Sequence, residues 1–503
     1  MKKTISGVLL ALTAVFTLVA CGKKKTTTAQ GGDTTAKKET TKKKTTTKLT
    51  SKQKIEMTNK LSFHCWNTEF KERVDKFYAN TNYYDATTTY LTDGTYIEWT
   101  VNANEGSNYQ DKLDTALGKN EVDMFVFEAD YASKYVKSDK VADLSQISGL
   151  DMSKQYKYTK DIVTLGDEIK GTSWQACPGV TIVNMNVADA VWGTWEKKDG
   201  KETLKTAAKL EDVAAKIGPE GDFEAAAAEV KAAKKNKFMM IGPDDWYRVY
   251  SQNLANKMWD GTNLTVAPEI FDWVEDTMDF YNKRYIRSVD DDYGLWGAEW
   301  GAEQGKDNCL CIFSVPWFTD FCLKGYRYAD GDDPDNMGVK EMKNVNLKVC
   351  ASHKGWFWGG TWLTATKTGL ANDKIKGSIE DIIKKMTTDT DTLVAISKGV
   401  GDFTNSEAAM ENLAKSDDMK LDYFGGQNAF AIYAESIKTA DMSKASDYDQ
   451  QVNEGMQGAF KQYFQGFLSF DDAWADAIDR ISKASGVGKD NIKKGVAPAP
   501  AVE

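Results

Sequence analysis

Histidine is almost missing from this chain of 503 residues. His64 and His353 are the only two. They cannot form a His-Glu-x-x-His zinc site, and no His/Cys cluster shows zinc spacing, so no metal and no cofactor are expected. Each His is expected to be structural. Cysteine is sparse too, seven in all, without a CxxC pair or the dense spacing of a small disulfide framework. No P-loop, no GxSxG and, past the first 20 residues, no run of 18 uninterrupted apolar residues appears, which excludes a polytopic membrane protein. What the chain has instead is tryptophan, 15 residues, within 41% hydrophobic and 27% charged residues. That is the composition of a globular protein, and the length predicts more than one domain. Charge is uneven. Residues 1–54 hold 13 Lys and two acids, leaving 51 basic and 72 acidic groups in residues 55–503, or −21. A body so acidic repels phosphate backbones, so no nucleic acid is expected as a partner.

Lys2 and Lys3 precede an apolar stretch from Ile5 to Ala20, too short to span a bilayer comfortably but suited to a secretory signal. It ends in Leu18-Val19-Ala20-Cys21, which resembles the lipobox of bacterial lipoproteins. The resemblance implies a signal peptide over 1–20, a Cys21 that is acylated with palmitate-type chains, and a location on the extracytoplasmic face of the cell membrane. The competing reading is a transmembrane anchor with an incidental Cys. Residues 22–54 carry 11 Lys and 11 Thr and cannot bury enough surface to order themselves, so 21–59 is expected to be a disordered tether. A polybasic strip on anionic lipid or wall polymer is compatible with it. The remaining cysteines, Cys65, Cys177, Cys309, Cys311, Cys322 and Cys350, are expected as small buried thiols.

Beyond the tether, Leu61, Phe63 and Cys65 alternate as in a strand, and Phe70, Val74, Phe77 and Tyr78 share a helical face. Tyr96–Val101 and the apolar run Met124–Phe127 read as further strands, with a helical stripe at Tyr109, Leu113, Ala116 and Leu117 between them. This βαβαβ order predicts a parallel sheet whose ligands bind beyond the carboxyl ends of the strands. Those ends carry Trp66-Asn67-Thr68-Glu69 and Glu128-Ala129-Asp130-Tyr131. For Thr68 and Asp130, helix capping and ligand contact both stand.

The segment Asp123-Met124-Phe125-Val126-Phe127-Glu128-Ala129-Asp130-Tyr131 resembles one of family 1 extracellular solute-binding proteins, the sugar-binding lipoproteins of bacterial ABC importers. Gly171-Thr172-Ser173-Trp174-Gln175-Ala176-Cys177-Pro178-Gly179, Asp245-Trp246-Tyr247-Arg248-Val249, Phe313-Ser314-Val315-Pro316-Trp317, Trp358-Gly359-Gly360-Thr361-Trp362, Gly401-Asp402-Phe403 and Gly425-Gly426-Gln427-Asn428 continue the resemblance in family order. Where that family usually has a Tyr-Arg pair, this chain has Val183-Asn184-Met185. The resemblance implies a two-lobed α/β fold of the type II periplasmic-binding-protein kind, each lobe a mainly parallel sheet flanked by helices. One lobe would comprise 60–177 plus 359–408, the other 178–358 plus 409–503.

Sugar rings present C–H groups on their faces and hydroxyls at their rims, so indoles stack on the former and Asp, Glu, Asn and Gln accept from the latter. Trp66, Trp174, Trp317, Trp358 and Trp362 lie at strand ends or crossing segments and are the aromatic candidates. Trp317 also matches a sugar-stacking position of the family. Asn67, Glu69, Asp130, Gln175 and Asp402 are the polar candidates, while Trp99, Trp273 and Trp474 fall within strand or helix patterns and read as core. The expected function is capture of a saccharide, an oligosaccharide given the number of aromatics, and its delivery to the transmembrane subunits of an ABC permease by a monomer that is not an enzyme. A secreted hydrolase using paired carboxylates and a binder of a non-sugar solute remain as alternatives. For the acidic run Asp330–Asp335, a solvated loop and a calcium site both stand, although EF-hand spacing is absent.

Overall fold

A computed structural model describes residues 57–233, 236–295, 298–319, 323 and 345–496. The leader, Cys21, most of the tether, Cys322, the run 330–335 and the tail from 497 lie outside the described residues. No helix among the described residues is long and apolar enough to cross a membrane.

The first strand, β1 (Asn59–Cys65), buries Leu61, Phe63 and Cys65 completely or nearly so, as alternation requires. Helix α1 (Glu69–Phe77) then lays Phe70 and Val74 on the sheet. A hairpin of β2 (Thr81–Tyr84) and β3 (Thr88–Leu91) follows, then β4 (Thr95–Val101), helix α2 (Asn108–Gly118) and β5 (Met124–Glu128). Short β6 (Thr172–Ser173) ends the first passage through this sheet. The chain next builds a separate three-stranded sheet from β7 (Val180–Asn184), β8 (Cys311–Ser314) and β9 (Leu347–Ala351), with β7 in the middle. It returns to the first sheet as β10 (Thr361–Ala365). The order of the seven-stranded sheet is β2-β3-β4-β1-β5-β10-β6.

The parallel pairs are the central ones, β1 with β4 and with β5. The flanks are antiparallel, because β3 returns along β4 through a tight hairpin and β10 enters from the opposite direction beside β5. The three-stranded sheet is antiparallel throughout. Strand β5 is covered on both faces, and its residues divide between two cores. Phe125 and Phe127 join one, and Met124 and Val126 join the other. Each such buried side chain contributes about 1.5–3 kcal/mol.

Between the sheets, three crossing segments lie side by side. Gly179 N–H donates to Trp356 O at 2.7 Å, Trp358 N–H to Cys177 O at 3.2 Å, and Ala176 N–H to Phe403 O at 2.9 Å. Gly179 is required there, since a Cβ would sit 2.1 Å from the Trp356 ring. Helices α3 (Tyr247–Ser251), α4 (Pro268–Asn282) and α5 (Asp449–Phe464) belong to the second half. The stripes that continue past Val274 and Phe464 are only partly covered. Met278 and Tyr281 pack at the core edge, while Phe467 lies beyond the end of α5 and is 75% exposed.

Trp99 and Trp273 are buried, and Trp474 packs edge-on against Phe271 at 5.3 Å. Cys65, Cys177, Cys309, Cys311 and Cys350 are buried free thiols. His353 stacks on Phe223 at 4.6 Å, and burial pushes its pKa down to about 4.

Candidate functional site

A cavity of about 520 Å³ opens beyond the carboxyl ends of β1, β4 and β5, where a parallel sheet leaves room between its helices. Trp66, Asn67 and Glu69 reach it from the turn after β1, and Asp130 from the turn after β5. Gln175, Trp317 and Trp358 come from the crossing segments and the turn after β8. Seven of the ten ligand-binding residues expected from sequence therefore share one wall.

The other three do not line it. Trp174 is fully buried against Phe70, 4.9 Å between ring centroids. Trp362 is fully buried, stacked on Phe127 at 6.1 Å, and its indole N–H donates to Thr159 O at 2.9 Å. Strand parity is the reason, since neighbours on an extended chain point to opposite faces. Gln175 and Thr361 take the cavity side and leave Trp174 and Trp362 to the cores. Asp402 stands one layer back, buried, and accepts both bonds of Arg73 at 2.7 and 3.1 Å. Arg73 in turn lies 3.8 Å from Glu69.

The indoles are held by their edges. Trp317 N–H donates to Trp358 O at 3.0 Å, and the two rings meet edge-on at 4.9 Å. Trp66 packs edge-on against Tyr109 and Tyr131. All three are half-buried and line the cavity. The crossing chain comes this close because Gly359 and Gly360 have φ of 74° and 112°. A Cβ on Gly359 would lie 3.3 Å from Trp317 Nε1 and 3.5 Å from Glu128 Oε1.

Polar groups are fixed just as tightly. Asn67 Oδ1 accepts from Glu69 N–H at 3.1 Å, so the start of α1 is capped by Asn67 and not by Thr68. Gln175 Oε1 accepts from Thr361 Oγ1 at 3.0 Å. Asp130 is not a helix cap. It accepts from Arg248 at 2.7 and 2.9 Å and from Asn453 at 3.1 Å. Tyr247 donates to Asn453 Oδ1 at 2.8 Å, and the Arg248 guanidinium lies over the Trp358 ring at 5.2 Å. Burial, reinforced by the charge of Asp130 and opposed by Arg248, pushes the Glu128 carboxyl up to about 8. Glu128 therefore holds a proton at neutral pH and offers a donor as well as an acceptor.

Sequence reasoning missed Arg248, Glu128, Thr361 and the face of α5 carrying Gln450, Asn453, Glu454 and Gln457. Arg248 had a visible signal, a lone cation inside an aromatic run. The α5 face had a weaker one, polar residues at i, i+3, i+4 and i+7.

A second cavity of about 440 Å³, lined by Arg284, Arg287 and Asn308 among others, lies away from this wall. The helices Phe223–Ala233, α4 and Ala298–Gly305 end near it, and cations there complement helix C-termini. Among the described residues no group of three His, Cys, Asp or Glu is placed to hold a metal ion.

No family model and no curated protein sequence matches the chain. Solved structures do. A family 1 extracellular solute-binding protein is 15% identical, with a TM-score of 0.61, over 85% of this chain and all of its own. An ABC substrate-binding protein from Listeria monocytogenes, solved with cycloalternan, is 14% identical with a TM-score of 0.55, over 86% of this chain and all of its own. An ABC transporter associated binding protein from B. animalis subsp. lactis Bl-04, solved with beta-1,6-galactobiose, is 13% identical with a TM-score of 0.56, over 87% of this chain and all of its own. These neighbours are binding proteins, and at such identities the likeness shows a common fold.

Proposed function

We propose that this chain, which has the two-lobed α/β fold of the type II periplasmic binding proteins, captures a saccharide in its cavity and hands it to the permease of an ABC importer. The observation that carries the reading is the cavity wall itself. Trp66, Trp317 and Trp358 line it with half-buried rings, and Glu69, Asp130, Gln175 and Glu128 line it beside them, the pairing of indole faces and polar groups that sugar rings and their rim hydroxyls call for. Its volume of about 520 Å³ falls within the range of small-ligand sites and suits an oligosaccharide of a few rings. Solved relatives of the same fold carry cycloalternan and beta-1,6-galactobiose.

Delivery requires the protein to stay at the membrane. Acylation of Cys21 would hold it on the extracytoplasmic face, with the Lys/Thr tether giving reach. Closure of the lobes about the three crossing segments would cover both faces of the ring. The cavity binds without turnover in this reading, and the protein is not an enzyme.

A thermal-shift screen of the purified protein against mono- and oligosaccharides tests it. A ligand at about 100 times its Kd stabilises by about 2.7 kcal/mol. A saccharide that raises the melting temperature and is recovered intact supports the proposal. Release of new reducing ends, or no response across the panel, overturns it.

A further inference from the structure

A buried polar network stands behind one part of the cavity wall, and its members come from four separate stretches of chain. Glu69 and Arg73 lie four residues apart on α1, so they share one helical face. Glu69 lines the cavity, and Arg73 sits one turn deeper. Asp402 reaches Arg73 from beyond the helix Thr390–Val400, where Gly401 leaves the helix with φ of 87°. That segment is tied to the crossing chain, since Ala176 N–H donates to Phe403 O at 2.9 Å. Asp402 accepts from Arg73 at 2.7 and 3.1 Å. Arg73 approaches Glu69 only to 3.8 Å, beyond hydrogen-bond range. Gln175 Nε2 donates to Glu69 Oε1 at 3.4 Å, and Thr361 Oγ1 donates to Gln175 Oε1 at 3.0 Å. The five residues are between 2% and 8% exposed. Glu69, Gln175 and Thr361 line the cavity, and Arg73 and Asp402 do not.

A buried carboxylate holds its charge where a cation compensates it. Arg73 stands close enough to compensate Glu69, yet its two short bonds go to Asp402 and leave Glu69 at the wall. Without the Asp402 charge the guanidinium can close on Glu69, which shares its helical face, and draw that carboxylate away from the cavity. We infer that Asp402 and Arg73 are positioning residues for saccharide binding, holding Glu69 at the wall as a charged acceptor for a sugar hydroxyl, with Gln175 and Thr361 aligned beside it. This rests on the saccharide reading above and deepens it, by assigning two residues that do not line the cavity. A fork that only ties α1 to the segment 401–403 has a different consequence. Its replacement by a neutral pair leaves affinity unchanged.

Calorimetric titration of the whole protein separates the two, using the mono- and oligosaccharide panel with maltotriose, cellotriose and beta-1,6-galactobiose among its members. The proteins compared are wild type, R73Q/D402N, E69Q and R73Q/D402N/E69Q. Replacing both members of a buried ion pair together strands neither charge, so R73Q/D402N is expected to fold. Its affinity for a panel sugar that wild type binds should fall at least tenfold, equivalent to about 1.4 kcal/mol. In the E69Q background the same two substitutions should change affinity by less than about threefold, because the residue they act through is already altered. Should R73Q/D402N not unfold cooperatively, R73K, which keeps the charge and loses the planar fork, carries the same cycle with the same expectations. Wild-type affinity in R73Q/D402N, or an equal loss in both backgrounds, overturns the inference and leaves the saccharide reading standing. A wild type that binds no member of the panel overturns both.

Discussion

Replacing Arg248 by Ala should cost far more than removal of a surface cation. The guanidinium donates to both oxygens of Asp130 at 2.7 and 2.9 Å. The two side chains are only 15% and 5% exposed, so water screens the pair little. Its loss leaves Asp130 with a single amide partner, Asn453, beside Glu128 and within range of Asp449, whose carboxyl burial has already pushed up to about 7. Stranding a buried charge in this way costs about 3–5 kcal/mol. The second variant, Asp130→Asn, removes the stranded charge, so R248A/D130N should recover at least half of the loss. Chemical denaturation followed by Trp fluorescence, completed as a double-mutant cycle, reads both quantities. An R248A penalty under about 1 kcal/mol, the range of exposed ion pairs, would refute the reasoning. A double variant no more stable than R248A would refute it equally, because the loss would then come from the guanidinium's packing on Trp358.

Trp317→Ala should lower saccharide affinity by roughly 30-fold, as loss of an anchor worth about 2 kcal/mol, while Trp362→Ala should instead cost about 3–5 kcal/mol of stability through its buried stack on Phe127; titration and melting of both variants would refute the assignment if the two phenotypes were exchanged. Stability should fall as pH rises from about 4 to 8, because Glu128, Asp245 and Asp449, pushed up to about 8, 7 and 7 by burial, keep protons when folded that the unfolded chain releases near pH 4. Each such proton contributes a slope of up to about 1.4 kcal/mol per pH unit, and Glu128→Gln should remove its share; a urea midpoint that rises across this interval contradicts the account. Cys21→Ala should abolish incorporation of a fatty-acid analogue and release the protein from the membrane fraction or leave its leader uncleaved; undiminished labelling would end the lipoprotein reading.

The sheet was legible wherever burial leaves a period-2 signature. Leu61, Phe63 and Cys65 on β1 and the fully apolar Met124–Phe127 on β5 mark strands covered by packed helices. The hairpin β2–β3 was not legible. Its residues Thr81–Tyr84 and Thr88–Leu91 sit at the sheet margin, and β2 buries none of its four, so no apolar alternation announces it. The antiparallel entry of β10 was also hidden. Nothing local in Thr361–Ala365 states which way the strand runs; the crossing at 355–360, set from outside the strand, decides it.

The candidate site was legible to the level of segment and illegible at the level of single side chains. Within Ser173-Trp174-Gln175 and Gly360-Thr361-Trp362 the sequence says that something faces a cleft, but a one-residue change of parity exchanges what faces it. Trp174 was expected on the wall together with Gln175, and Trp362 was expected there and Thr361 was not; of these four, Gln175 and Thr361 stand on it. Trp66, Trp317 and Trp358 escaped that ambiguity because they lie in turns and crossing segments, where no pleat dictates direction. Asp402 shows a different limit. Its partner, Arg73, is 329 residues away in sequence, and only the folded chain reveals that the carboxylate holds a guanidinium beside Glu69. The same long-range logic produces the Asp130–Arg248 pair.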